Sequence, residues 1–210
     1  MDRKKHWDSV HAQRGETEVS WYEVEPRMSL DLITEFAHTT ACRIIDIGGG
    51  ASVLVDRLLD LDFEKIVVLD ISETALEKAK SRLGLLAARV GWIVADVTET
   101  AEIGVFDVWH DRAVFHFLID ATDRRKYVEL ALRSIPEGGR LIVATFADDG
   151  PRRCSDLDVV GYNAESLSSE FGPGFTLIKE TRATHTTPWG KPQAFFHGVF
   201  QRVDNQFIHK

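Results

Sequence analysis

Residues 44–52 read IIDIGGGAS, an apolar β-branched run carrying Asp46 that ends in three glycines and two small residues. A strand that meets such a turn is expected to pass straight into a helix. Asp46, Gly48 and Gly50 then stand where backbone must turn sharply and approach a ligand closely. Glycine turns of this kind serve nucleotides of several sorts. The phosphate-binding form GxGxxG needs a small sixth residue, but Val53 stands there, which weakens a pyrophosphate reading and suits a cofactor without phosphates.

Outward from this turn, short apolar runs alternate with helical patterns, as in a sheet built from βαβ units. Strands are predicted at Cys42 to Ile47, Lys65 to Leu69, Gly91 to Ala95, Phe106 to Trp109 and Arg140 to Phe146. Helices are predicted at Ser52 to Leu59, Glu73 to Leu83 and Arg124 to Ile135, the last capped by Thr122 or Asp123. An irregular stretch, Ala147 to Gly161, leads to a helix near Ala164 to Phe171 with Asn163 as its cap. Two strand-like runs follow, Phe175 to Thr184 and Ala194 to Val203, joined by HTTPWGKPQ, which reads as a hairpin connection. The expected fold class is α/β: a doubly wound, Rossmann-like sheet, mostly parallel, with a C-terminal antiparallel hairpin. Residues 1–41 read as two helices, Lys5 to Arg14 and Arg27 to His38, around ETEVSWYEVEP. They are expected to form a helical lid over residues 42–210, within one structural domain.

Composition narrows the function. With 210 residues, 44% of them hydrophobic, the chain can bury one sizeable core. A net charge of −8 leaves no basic stripe to neutralise phosphates, which argues against nucleic acid and anionic membranes. The start MDRKKHWDSVHAQ lacks the apolar stretch of a signal peptide, no run is long enough to span a bilayer, and a cytoplasmic location is expected. Cys42 and Cys154 are too sparse for a disulfide framework or zinc ribbon and read as reduced thiols.

Two further acids close predicted strands. Asp70, twenty residues after Gly50, ends VVLD, where a carboxylate can accept hydrogen bonds from both ribose hydroxyls. Asp96 ends IVAD, placed to accept from an adenine amino group while the Val97 backbone serves a ring nitrogen. Taken singly, each also reads as a helix cap or turn former. Three acids at successive strand ends beside a glycine turn point to a nucleoside.

Through DIGGG, VVLDIS, VADV, FDVWHDR and IPEGG, in that order, the sequence resembles the class I S-adenosylmethionine-dependent methyltransferases over residues 40–203. The resemblance implies the strand order 3214576, an S-adenosyl-L-methionine cofactor, an S-adenosyl-L-homocysteine product and no metal. It implies an enzyme acting on a small-molecule or protein acceptor; the chain itself is expected to be a monomer. Carried over by position, Asp46, Gly48 and Gly50 lie under the methionine end, Asp70 and Ile71 at the ribose, and Asp96 and Val97 at the adenine. Ser52 departs from the pattern, since many members have a third glycine there. A set of bacterial methyltransferases shares WYEVEP, GGGAS and WHDRAVFHFL, and a looser likeness runs to the thiopurine methyltransferase branch. There the N-terminal aromatic segment closes over the cofactor, which sets Trp21 against the cofactor and Tyr22 toward the acceptor. Both aromatics read equally as hydrophobic anchors for the extension.

The reacting centre of an open parallel sheet lies beyond the carboxyl ends of its strands, here at HDRAVFHF, residues 110–117. His110 is the first candidate for a general base, with His116 and His185 behind it, although each also reads as a packing histidine. Asp111 is a candidate to orient that base or to contact the cofactor. Arg112 offers a cation to an acidic substrate or a structural ion pair. His185, Trp189 and Gln193 are candidates to wall the acceptor pocket, unless their turn simply faces solvent. A non-catalytic module that senses S-adenosylmethionine is the alternative; it predicts no pocket between His110, His116 and His185. A nicotinamide oxidoreductase fits neither Val53 nor the hairpin.

Overall fold

The first five strands of the main sheet pair with one another in parallel because every link between them is a crossover. The computed structural model describes residues 2–204. In chain order the elements are α1 (Arg3–Gln13), α2 (Arg27–Phe36), β1 (Arg43–Ile47), α3 (Leu54–Asp60), β2 (Lys65–Asp70), α4 (Glu73–Leu83), β3 (Val90–Val94) and β4 (Val108–Arg112). Then come α5 (Ala121–Ser134), β5 (Arg140–Phe146), a two-residue ladder of β6 (Arg153–Cys154) with β7 (Leu157–Asp158), α6 (Ala164–Phe171), β8 (Phe175–Thr186) and β9 (Pro192–Arg202). The main sheet runs β3-β2-β1-β4-β5-β9-β8, with β9 antiparallel to both neighbours. With the β6/β7 ladder set aside, this is the expected order 3214576.

Side chains leave a strand alternately to its two faces, and the core divides accordingly. On one face Ile45, Ile47, Trp109, Leu141 and Val143 pack against Tyr127, Leu130 and Ala131 of α5 and Leu167 and Phe171 of α6. On the other, Ile44, Ile66, Val68, Val108 and Ile142 meet Leu30 and Ile33 of α2, Leu54 and Leu58 of α3 and Leu76 of α4. Full burial of such a side chain stabilises by about 1.5–3 kcal/mol. Leu30, Leu32 and Ile33 therefore make α2 part of the core. α1 buries only His11 and is held by polar contacts instead.

Several boundaries differ from the sequence reading for identifiable reasons. β4 runs to Arg112, not Trp109, because its ladder continues through Asp46↔His110 with β1 and Arg112↔Ala144 with β5. Asp120, not Thr122 or Asp123, caps α5, its side chain accepting from Thr122 N. Asn163 caps α6 in a reciprocal pair with Ser166, as expected. Among the described residues no helix is long and apolar enough to cross a membrane.

Gly48 sits at φ +67°, where a Cβ would overlap Val114 Cγ2. Gly48→Ala is expected to lower unfolding free energy in urea by about 1–3 kcal/mol. Part of that loss should disappear in a Val114→Ala background; an identical loss in both backgrounds would assign it to backbone strain alone.

Candidate functional site

A cavity of about 600 Å³ opens over the carboxyl ends of the parallel strands and is roofed by α1 and residues from Glu16 to Pro26. Gly48, Gly49 and Gly50 form its floor, beside Asp46, Asp70, Ile71, Asp96 and Val97. The glycines are required by space: a Cβ on Gly49 would overlap Asp46 Oδ2, and one on Gly50 would lie 2.9 Å from Asp70 Oδ2. Asp70 accepts from Ser72 N at 2.7 Å on Oδ1. Burial, with Asp46 and Asp8 nearby, pushes its carboxyl up to about 7 against the pull of that hydrogen bond. Asp96 accepts from Thr98 N at 2.8 Å and Thr98 Oγ1 at 2.7 Å, and Arg3 reaches its other oxygen at 3.4 Å.

α1 is tied down along this edge. Arg3 also pairs with Asp123, Asp8 accepts from Ser72 Oγ at 2.7 Å, and Lys78 Nζ donates to the carbonyls of His11 and Arg14 at 2.5 and 2.8 Å. Its Trp7 meets Trp21 and Phe117 edge-on, with ring centroids 5.8 and 5.0 Å apart. Trp21 and Tyr22 both line the cavity.

Alternation along β4 sorts the residues beyond the glycine loop. His110 shares the face of Asp46: its Nδ1 lies 2.7 Å from Asp46 Oδ1 and its Nε2 lies 3.0 Å from Ser29 Oγ. The Asp46 carboxylate can only accept, so Nδ1–H donates to it, and Nε2 is left to accept from the serine hydroxyl. All three residues are at most 3% exposed, so His110 has no free ring nitrogen for a substrate. Asp111 points to the opposite face. It accepts from Tyr127 Oη at 2.7 Å and Val114 N at 2.9 Å and is absent from the cavity wall, which corrects its candidacy as a cofactor contact. Burial raises its carboxyl to about 6.

Arg112 returns to the cavity face as part of a charge cluster. Its guanidinium lies 3.0 Å from Glu23 Oε1, donates to the Trp21 carbonyl at 3.0 Å and sits 5.2 Å from the Phe195 ring centroid. Glu23 also lies 3.3 Å from His185 Nδ1, while His185 Nε2 donates to the Ser20 carbonyl at 2.7 Å. Burial raises the Glu23 carboxyl, but His185 and Arg112 outweigh it and hold the group below its ordinary value. His185 thus braces the wall from behind. Gln193 lines the cavity, whereas Trp189 is 58% exposed and does not. His116, in the short 3₁₀ turn Phe115–Phe117, lines the cavity, and its Nδ1 accepts from Phe146 N at 3.1 Å.

The sequence reading missed Ser29, Glu23 and Arg3. Glu23 lay inside the quoted WYEVEP segment, a visible but unread signal; Ser29 and Arg3 carried none, being single polar residues in helices.

Residues 38–186 match the model of a family described as Methyltransferase domain. Nodulation protein S of Rhizobium tropici is 23% identical over 122 residues, a match that covers 58% of this chain and 50% of that protein. The chain therefore spans about half the length of this relative. An S-adenosylmethionine-dependent methyltransferase structure from Anabaena variabilis superposes with a TM-score of 0.74 at 15% identity, covering 96% of each chain. The N-methyltransferase NodS from Bradyrhizobium japonicum, in complex with S-adenosyl-L-homocysteine, superposes at 0.71 and 16% identity, covering 94% of this chain and 98% of that one. At these identities the two structures establish the fold alone.

Removing His110 would leave Asp46 and Ser29 buried without their shared partner. His110→Ala is expected to lower unfolding free energy by about 1–3 kcal/mol in urea titration, with Asp46→Asn, which keeps an acceptor for Nδ1, losing less. Equal losses would show that the cluster depends on the charge of the carboxylate and not merely on an acceptor for Nδ1.

Proposed function

We propose, because this chain belongs to the methyltransferase domain family whose model matches residues 38–186, that it transfers a methyl group from S-adenosylmethionine to a small molecule or protein side chain. The observation that carries the reading is one cavity lined both by the glycine loop and strand-end acids and by Trp7, Phe117, Phe195 and Arg112. That additional lining favours an enzyme over a sensor, which needs only the residues that hold the cofactor.

The residues present suit the cofactor. Gly48 to Gly50 and Asp46 would receive its methionine end, Asp70 and Ile71 its ribose, and Asp96 and Val97 its adenine. Trp21, braced by Trp7, would present an aromatic face to cationic charge. The bound cofactor supplies a methyl group activated on a sulfonium centre. The protein's part is alignment, with the acceptor held by the far wall so that displacement is in line. His110 and His185 are both engaged elsewhere, so the acceptor brings its own lone pair. α1 and the segment through Glu23 act as the cover that excludes water, with Arg3 as its latch on Asp96.

Asp70 supplies the test. Ribose hydroxyls favour its ionised form, so binding should release a proton wherever the empty site holds one. The sign is fixed by its raised value: in the unliganded protein its contribution to stability is present below the ordinary 3.8 and lost as pH rises through about 7. S-adenosylmethionine affinity should therefore rise about tenfold between about pH 6 and about pH 8 in calorimetric titration. Asp70→Asn should bind more weakly by about 1.5–3 kcal/mol and lose that pH dependence. Binding of NAD in place of the adenosyl ligand would overturn the reading.

A further inference from the structure

α1 carries a largely buried polar side chain that the protein leaves without a partner. His11 is 8% exposed and lines the cavity, on the same face of the helix as Arg3 and Trp7. Its ring packs with the indoles of Trp7 and Trp21, at centroid distances of 6.5 and 6.1 Å. Neither ring nitrogen is hydrogen-bonded among the described residues, and neither is sealed from the space around it. His116 differs: its Nε2 is fully enclosed and meets nothing that enters the cavity. Burial, reinforced by the charge of Lys78, lowers the His11 pKa to about 4, so the ring is neutral and carries one N–H.

The contacts along the cover follow the order of the parts of the cofactor. Arg3 reaches Asp96, the acid assigned to the adenine. Farther along, Asp8 accepts from Ser72 Oγ, and the Ser72 N–H donates to Asp70, the acid assigned to the ribose. Glu16 meets Arg82, which also donates to the carbonyls of Ala51 and Ser52, just beyond the glycine loop. His11 comes one helical turn after Asp8 and before Glu16, which sets it toward the methionine end. Asp46 and Glu16 line the cavity there as acids suited to an ammonium group, whereas a carboxylate needs donors. The cations nearby are already spent: Lys78 on the His11 and Arg14 carbonyls, Arg82 on Asp56, Glu16 and the loop carbonyls. His11 brings an N–H that nothing else has claimed.

We propose that His11 is the cover's own contact with the cofactor, its ring N–H donating to the carboxylate of the methionine end. The inference rests on the methyl-transfer reading above and adds to it a residue that lies outside the family match at 38–186. A neutral imidazole supplies the hydrogen bond without setting a further cation beside the sulfonium. It also ties α1 to the ligand, so the cover is held more firmly over the complete cofactor than over one without its carboxylate.

The test is calorimetric titration of the full chain with S-adenosylhomocysteine and with its decarboxylated analogue, which keeps the adenosyl group, the sulfur and the ammonium. His11→Phe preserves a ring against Trp7 and Trp21 but has no N–H. It should weaken S-adenosylhomocysteine binding about 10- to 100-fold, the loss of one hydrogen bond to a charged group, and change the analogue's affinity by less than about 2-fold. A second measurement needs no variant: in the unsubstituted protein, saturation with S-adenosylhomocysteine should slow amide hydrogen exchange in α1 more than saturation with the analogue does. Three results would overturn the proposal: equal weakening of both ligands in His11→Phe, unchanged S-adenosylhomocysteine binding in that variant, or equal protection of α1 by the two ligands. If neither ligand binds the unsubstituted protein, the methyl-transfer reading falls, and this inference with it.

Discussion

Parallel pairing of β1 with β4, in the register that sets Asp46 beside His110, is the constraint on which the cavity depends. It fixes which face of β4 each residue takes. His110 and Arg112 turn toward the cavity side, while Trp109 and Asp111 turn toward Tyr127 and the α5 layer. A slip of one residue would exchange these sets, driving Asp111 into the cavity and an indole into the polar cluster with Asp46 and Ser29. The burial of Trp109, fully inaccessible, and its hydrogen bond to Tyr127 Oη at 2.8 Å oppose such a slip.

The two halves of the N-terminal segment are held by different physics. α2 is anchored by apolar burial and unfolds only with the core. α1 is held by the ion pairs of Arg3 with Asp96 and Asp123, by Asp8 accepting from Ser72 Oγ and by Lys78 donating to the His11 and Arg14 carbonyls, contacts that are partly solvated and individually weak. Elements attached in this way open at lower free energy than the core beneath them. That difference in attachment suits the covering role proposed for α1.

Much of the fold could be read from the sequence because the strands that matter are short, β-branched and bounded by glycine or charge. The places of Asp70 and Asp96, at strand ends beside the glycine loop, were legible because a strand end is a local property. The failures share a cause in distance along the chain. Nothing near Ser29 reveals that it meets His110, and nothing near Glu23 reveals that Arg112 and His185 converge on it. Asp111 was misassigned because β4 was ended too early, at Trp109; a longer strand would have placed it on the far face by alternation. His116 was legible as a polar residue in an apolar run, but the backbone N–H of Phe146 that donates to its Nδ1 belongs to β5, thirty residues on.

The hydrogen bond from His185 to the Ser20 carbonyl joins one end of the chain to the other. Loop closure of that span is entropically expensive and comes late, after local contacts have formed. The glycine loop, Asp70 and Asp96 all lie within the first half of the chain and need only β1, β2, β3 and their helices. The wall formed by Glu23, His185 and Gln193 must wait for the terminal hairpin. A chain emerging in order from its N-terminus would thus possess the glycine loop and its strand-end acids well before it possesses the wall that faces them.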